Sequence, residues 1–291
     1  MRFSDINIRD PFILLENGVY YLYGSRGHEL WGLCTGVDGY RSTDCVEWEG
    51  PFEVFHRPDD FWSDRNFWAP EVHKYQDRFY MFMSFKSAGR CRATQILTAD
   101  TPLGPFRVYS EPITPADWEC LDGTFFVEED GTPYMVFCHE WVQAGDGQMC
   151  AVELSRDLTH AVGEPMVLFC ASEPEWAYSP DWVPEERGHG NVYVTDGPFL
   201  YRTAGGRLLM LWSSFTKDGY CEAVSYSESG KITGPWRHEK ELLFSKDGGH
   251  GMLYRNKENE LYFICHSPNE KRKEHPVIYS VAEQDGRLAV K

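Results

Sequence analysis

The chain has 291 residues, long enough to bury a sizeable core, and its 25% charged and 42% hydrophobic residues match an ordinary globular protein. A formal net charge of −17 argues against nucleic acid or an anionic membrane surface as principal partner. No apolar run reaches membrane-spanning length, and the 15% aromatic content fits a β-rich protein while also offering flat faces for sugar rings.

The N-terminus, Met1-Arg2-Phe3-Ser4-Asp5-Ile6-Asn7, has no apolar core of a secretory signal. Nine cysteines, an odd number, are scattered through strand-like segments such as those holding Cys138, Cys150, Cys221 and Cys265, without a CxxC pair. They read as buried, reduced thiols. A cytoplasmic location is therefore expected, or a secreted or periplasmic one if a leader once preceded this sequence.

Along the chain, one phrase recurs five times: a turn-forming pair, an apolar strand, a polar turn and a second apolar strand. The openings are Asp10-Pro11-Phe12-Ile13, Ala69-Pro70-Glu71-Val72, Asp122-Gly123-Thr124-Phe125, Asp196-Gly197-Pro198-Phe199 and His250-Gly251-Met252-Leu253. The second strands begin at Val19, Arg78, Pro133, Arg207 and Glu260, several of them after hairpin signals such as Asn17-Gly18, Asp130-Gly131 and Gly205-Gly206. Their near-continuous apolar character implies burial on both faces. A glycine marker closes four units (Gly50-Pro51-Phe52, Gly104-Pro105-Phe106, Gly163-Glu164-Pro165 and Gly234-Pro235-Trp236), roughly 35 to 41 positions after each opening. That length suits four short antiparallel strands. No long helical period interrupts the series, and the longest irregular insertion is Ser172–Asn191.

Five such units with nothing left over predict an all-β fold, a single five-bladed β-propeller of residues 1–291 with four antiparallel strands per blade. Two packed β-sandwiches are the competing arrangement, but a sandwich does not require the same opening five times. Aligned on Ile13, Val72, Phe125, Phe199 and Leu253, the units begin with Asp, Ala, Asp, Asp and His. Inner strands of a propeller start at one face. Asp10, Asp122 and Asp196 should therefore meet around the channel mouth, and the ends of the second strands should form a surrounding shell: Ser25-Arg26, Ser84-Phe85, His139-Glu140, Ser213-Ser214 and His266-Ser267. An Asp before Gly or Pro is commonly just a turn residue; three at matched ring positions beside a histidine point instead to a site. Clustered carboxylates raise one another's pKa, the condition for keeping a protonated acid beside an ionised base. Glycoside hydrolysis uses such a pair.

The phrases Arg9-Asp10-Pro11, Trp68-Ala69-Pro70-Glu71-Val72, Leu121-Asp122-Gly123, Thr195-Asp196-Gly197-Pro198 and Gly249-His250-Gly251-Met252 resemble those of glycoside hydrolase family 43, in that family's order and over nearly the whole chain. The resemblance implies a five-bladed propeller that cleaves α-L-arabinofuranosides or β-D-xylosides with inversion. It makes Asp10 the general base, Asp122 the orienter and pKa modulator, and the blade-four residue the general acid. The family's usual acid is glutamate; here the position holds Asp196, one methylene shorter, and Glu140 is the alternative donor. The resemblance also makes His250 an axial histidine beside a possible structural Ca²⁺, although one histidine is a poor site for a hard cation and no cofactor is required.

Trp68 is the expected sugar-stacking ring, with core packing as its alternative; Phe67 and Trp31 are weaker candidates of the same kind. Arg26, His139, Glu140 and His266 are candidates for binding sugar hydroxyls. Glu71 is expected to brace neighbouring blades. The expected partner is a small or polymeric carbohydrate, with no nucleic acid and no membrane. Two other functions fit the same residues: a carbohydrate-binding propeller without catalysis, and a glycoside phosphorylase, which needs a cationic phosphate pocket. No nucleotide-binding glycine loop, GxSxG elbow or HExxH pair is present.

Overall fold

The computed structural model describes residues 1–180 and 191–291. The described residues form five four-stranded antiparallel sheets, each built from four strands consecutive in sequence. The innermost strands are Ile8–Glu16, Arg65–Tyr75, Cys120–Val127, Asp196–Arg202 and Gly249–Arg255. The second strands are Val19–Arg26, Arg78–Ser87, Pro133–His139, Leu208–Thr216 and Leu261–Ser267. The third strands are Gly36–Ser42, Arg90–Ala99, Gln148–Leu154, Gly219–Ser227 and His275–Gln284. The outer strands are Glu49–His56, Arg107–Val108, Ala161–Cys170, Trp236–His238 and Arg287–Val290. This is the five-bladed propeller expected from the repeat. The glycine markers lie in or just before the outer strands of the first four blades. Of the insertion Ser172–Asn191, residues 172–180 contain no regular element and 181–190 lie outside the described residues.

The apolar second strands are explained by blade-to-blade packing. Side chains alternate across a strand, so Leu208, Met210 and Trp212 join the core shared with blade three, while Leu209 and Leu211 join the core shared with blade five. In blade two, Phe79, Met81, Met83 and Phe85 face blade one, and Tyr80 and Phe82 face blade three. Every blade is covered on both faces, and most of the abundant aromatic residues are used here. No helix of the described residues is long and apolar enough to cross a membrane. All nine cysteines are free.

The ring closes through side chains, since the first and last blades are each made of their own four strands. Asn7 donates to the Glu274 carbonyl at 2.7 Å, Arg9 donates to Asn269 Oδ1 at 2.7 Å, and Met252, Tyr254 and Ile264 of blade five join the core of blade one.

Candidate active site

Each inner strand enters the ring through a β-bulge, marked by a register break with the second strand. The bulge residue adopts left-handed φ in every blade: Asp10 at 56°, Ala69 at 49°, Asp122 at 57°, Gly197 at 49° and His250 at 49°. Blade four therefore departs from the sequence alignment. Its structural counterpart of Asp10 and Asp122 is Gly197, and Asp196 stands one residue earlier, where the other blades place Arg9, Trp68, Leu121 and Gly249. The substitution-intolerant step is at Gly197, because a Cβ there would lie 2.5 Å from the His250 ring.

A closed ring of hydrogen bonds fastens these bulges. The backbone N–H of each bulge residue donates to a side chain of the preceding blade: Ala69 to Ser25 Oγ at 2.8 Å, Asp122 to Ser84 Oγ at 2.8 Å, His250 to Ser213 Oγ at 2.6 Å and Asp10 to His266 Nδ1 at 3.3 Å. In blade three the acceptor for blade four is Asp122 itself, whose Oδ2 takes the Gly197 N–H at 3.1 Å. Cys138 holds the second-strand place that serine or histidine fills elsewhere, paired with Leu121 as Ser25 is with Arg9. Asp122 thus holds the backbone that carries Asp196.

The three aspartates share one cavity of about 600 Å³, lined also by Arg9, Trp31, Trp68, Glu140, Tyr220 and His250. Asp10 is buried, accepts the Ser25 hydroxyl at 2.5 Å, and has His250 Nδ1 at 3.2 Å and Arg9 Nε at 3.8 Å. Burial works against its charge, but His250, Arg9 and the Ser25 hydrogen bond together hold its pKa below the usual carboxylate value. Asp122 lies 3.7 Å from His250 Nδ1; burial and the charge of Asp10 push its pKa well up. Burial, then Asp122, raise Asp196 to about 7, partly offset by His250, by the Tyr220 hydroxyl that donates to its Oδ2 at 3.0 Å, and by Arg9. One carboxylate favoured in its ionised form and two whose pKa is raised stand around one space.

Glu140 also lines the cavity, with a pKa raised by burial and lowered in part by Arg92, whose Nε lies 3.4 Å away. Trp68 lies at the cavity wall, but the Arg92 guanidinium covers its ring at 3.8 Å and its indole N–H is tied to the Leu30 carbonyl at 2.6 Å. Three other expected sugar contacts are displaced. Arg26 is absorbed by Asp38, Glu29 and Glu53 and does not line the cavity. His139 stacks on Trp118 at 4.4 Å and is bonded to Gln143 and Gln148. His266 is wholly buried behind Asp10; burial, then Arg9, push its pKa well below the usual value, so it acts on the Asp10 backbone as a neutral ring. Phe67 is core, packed against Phe85 at 4.9 Å. Glu71 braces blades two and three, accepting from Thr124 at 2.6 Å.

Arg9, Tyr220 and Glu222 complete the site beyond the residues that the repeat marks. Arg9 was visible beside Asp10. Tyr220 and Glu222 carry no such signal, since both lie on the third strand of blade four. Glu222 is wholly buried, accepts from Ser213 Oγ at 2.7 Å and Gly251 N at 3.0 Å, and burial raises it to about 8. For a metal at His250 the donors fit poorly. Its Nδ1 is already engaged by Asp10 and its ring packs on Gly197, and no group of three or more His, Cys, Asp or Glu among the described residues is spaced to hold an ion.

A propeller that gathers an ionised carboxylate and protonated acids at its axial cavity has the equipment of a glycoside hydrolase. The chain belongs to glycosyl hydrolases family 43, whose model matches residues 4–282. It is an inverting glycoside hydrolase. It is similar over 99% of its length to an endo-arabinase of Bacteroides thetaiotaomicron, at 38% identity and a TM-score of 0.91, covering 98% of that chain. An extracellular exo-α-(1→5)-L-arabinofuranosidase of Cellvibrio japonicus is 21% identical over 87% of this chain and 73% of its own length. An extracellular endo-α-(1→5)-L-arabinanase of Bacillus subtilis is 22% identical over 83% of this chain and 71% of its own.

Proposed function

We propose that this enzyme hydrolyses α-L-arabinofuranosidic bonds, with Asp10 as general base, Asp196 as general acid and Asp122 as the residue that orients and tunes the acid. The observation that carries the assignment is the opposite setting of two carboxyls in one cavity: Asp10 is held ionised by His250 and Arg9, and Asp196 keeps its proton to about pH 7. Similarity to proteins named as arabinanases and an arabinofuranosidase supports the choice of sugar.

In this reading Tyr220 occupies Asp196 Oδ2, leaving Oδ1 to carry the proton toward the glycosidic oxygen. Burial, then the charge of Asp196, push the Tyr220 phenol well up, so it remains a donor. As the anomeric carbon–oxygen bond breaks, water attacks that carbon from the opposite side and gives its proton to Asp10. Asp10 ends protonated and Asp196 ionised, and exchange with solvent restores both. The Gly197–Asp122 hydrogen bond fixes the backbone that carries the acid.

The test is a panel of α-L-arabinofuranosides, linear arabinan and β-D-xylosides, followed by proton NMR of the anomeric signal. Release of arabinose or arabino-oligosaccharides with inverted configuration is expected. Cleavage of xylosides alone would overturn the sugar assignment; binding without release from any substrate would overturn the enzymatic one.

A further inference from the structure

The loop of residues 27–35, between the second and third strands of blade one, places Leu30 and Trp31 on the cavity wall. Trp31 is 53% exposed in a protein whose other aromatic residues are mostly packed between blades. Its position is nevertheless fixed. The Leu30 carbonyl accepts from Trp68 Nε1 at 2.6 Å and from Asn66 Nδ2 at 3.1 Å, and the Gly32 carbonyl accepts from Asn66 N at 3.1 Å. Both residues flanking Trp31 are therefore pinned to the entrance of blade two. At the loop base, Glu29 accepts from the Thr35 N–H at 3.1 Å and from Arg26 at 3.2 Å. The Trp31 ring meets Trp68 edge-on, centroids 5.2 Å apart at 76°.

An exposed indole held this firmly at a pocket rim loses little freedom on binding, which is what makes an aromatic ring an effective contact. Its electron-rich face suits the C–H face of a sugar ring, whereas the face of Trp68 is already covered by Arg92. We propose that Trp31 is the stacking platform for a second pentose unit, beside the unit held over Asp10, Asp122 and Asp196, so that the enzyme's substrate is an oligosaccharide chain and not an isolated terminal sugar on an arbitrary aglycone. The ligand identity rests on the arabinofuranoside reading above.

The experiment measures binding by calorimetry in an Asp196→Asn background, which prevents turnover, using arabinose and α-1,5-arabinotriose as ligands; wild-type cleavage of the triose is measured alongside. The triose is expected to bind more tightly than arabinose, and Trp31→Ala to weaken triose binding by about tenfold, in the range of a well-placed aromatic contact, while changing the arabinose affinity much less. Trp31→Phe is expected to recover most of the loss. Equal triose affinity with and without Trp31, in a protein whose wild type cleaves the triose, overturns the platform alone. A wild type that neither cleaves nor binds the triose overturns the arabinofuranoside reading and this ligand with it. Because the side chain is more than half exposed, the variants keep the fold, and matching melting temperatures check this.

Discussion

Replacing Ser25 with alanine isolates the hydrogen bond that the ring of bulges supplies to the base. The Ser25 hydroxyl donates to Asp10 Oδ2 at 2.5 Å and accepts the Ala69 N–H at 2.8 Å, so one small side chain serves both the charge and the backbone. A hydrogen bond to a charged group contributes about 1.5–3 kcal/mol, and about 1.36 kcal/mol corresponds to one pH unit. Asp10 keeps its other charged partners, His250 and Arg9, so the lower end applies and its pKa should rise by about one unit. The base works only when ionised, so activity is lost as pH falls through its pKa; the acid limb of kcat/KM should therefore move up by about one unit while the limb near pH 7 stays in place. Ser25→Thr, which keeps the hydroxyl, should restore the wild-type profile. The variant also strands the Ala69 N–H at a cost of about 1–3 kcal/mol, seen as a lower melting temperature. A lower melting temperature with an unmoved acid limb would refute the claim that Ser25 tunes Asp10.

Asp10→Asn should cut turnover by about 10²–10⁴ without unfolding the protein, since asparagine tolerates the left-handed backbone that Asp10 adopts; wild-type activity in the variant would remove the base assignment. Asp196→Asn should abolish cleavage of arabino-oligosaccharides but spare their dinitrophenyl glycosides, whose leaving group needs no protonation. If Glu140→Gln shows that pattern instead, the proton comes from blade three. Asp196→Asn should also raise stability at pH 8 more than at pH 5. A carboxyl raised to about 7 contributes stability that is complete below its unfolded value near 4 and is lost as pH rises through 7, so a neutral side chain escapes the loss; melting curves at the two pH values measure it. Dialysis against EDTA should leave kcat within about twofold, given that no group of three or more His, Cys, Asp or Glu among the described residues is placed to hold an ion; a large loss restored by Ca²⁺ would show that a cation is needed.

The propeller was legible because its repeat is a packing requirement. Each second strand must bury both faces, which writes an unbroken apolar run such as Leu208–Trp212 after each turn. The convergence of Asp10 and Asp122 followed from the same symmetry, with Asp196, one residue off the equivalent position, still reaching the cavity. The sugar contacts did not, because a second strand's last residue can turn toward the axis or into its own blade, and only tertiary partners decide. His266 turned inward to the Asp10 N–H, Arg26 outward to Asp38 and Glu29, and His139 sideways onto Trp118. Arg26 still serves the cavity, by holding the base of the loop that presents Trp31.

Blade four shows why the repeat could locate a residue and still misjudge its geometry. In the apolar frame three places after each opening, Phe199 fits as well as Leu200 would. Backbone conformation breaks the tie. A left-handed bulge accepts Asp and His in blades one, three and five, but in blade four the tight approach of the His250 ring leaves room only for glycine. The bulge therefore sits on Gly197, and the carboxylate moves back one residue to the position that Arg9 and Trp68 occupy on the cavity wall. A general acid must meet the leaving oxygen while the base meets water on the opposite side. Equivalent ring positions on symmetric blades would set both carboxylates alike toward the axis. The one-residue offset breaks that equivalence, and the Gly197–Asp122 hydrogen bond, in the blade junction where cysteine replaces serine, holds the offset in place.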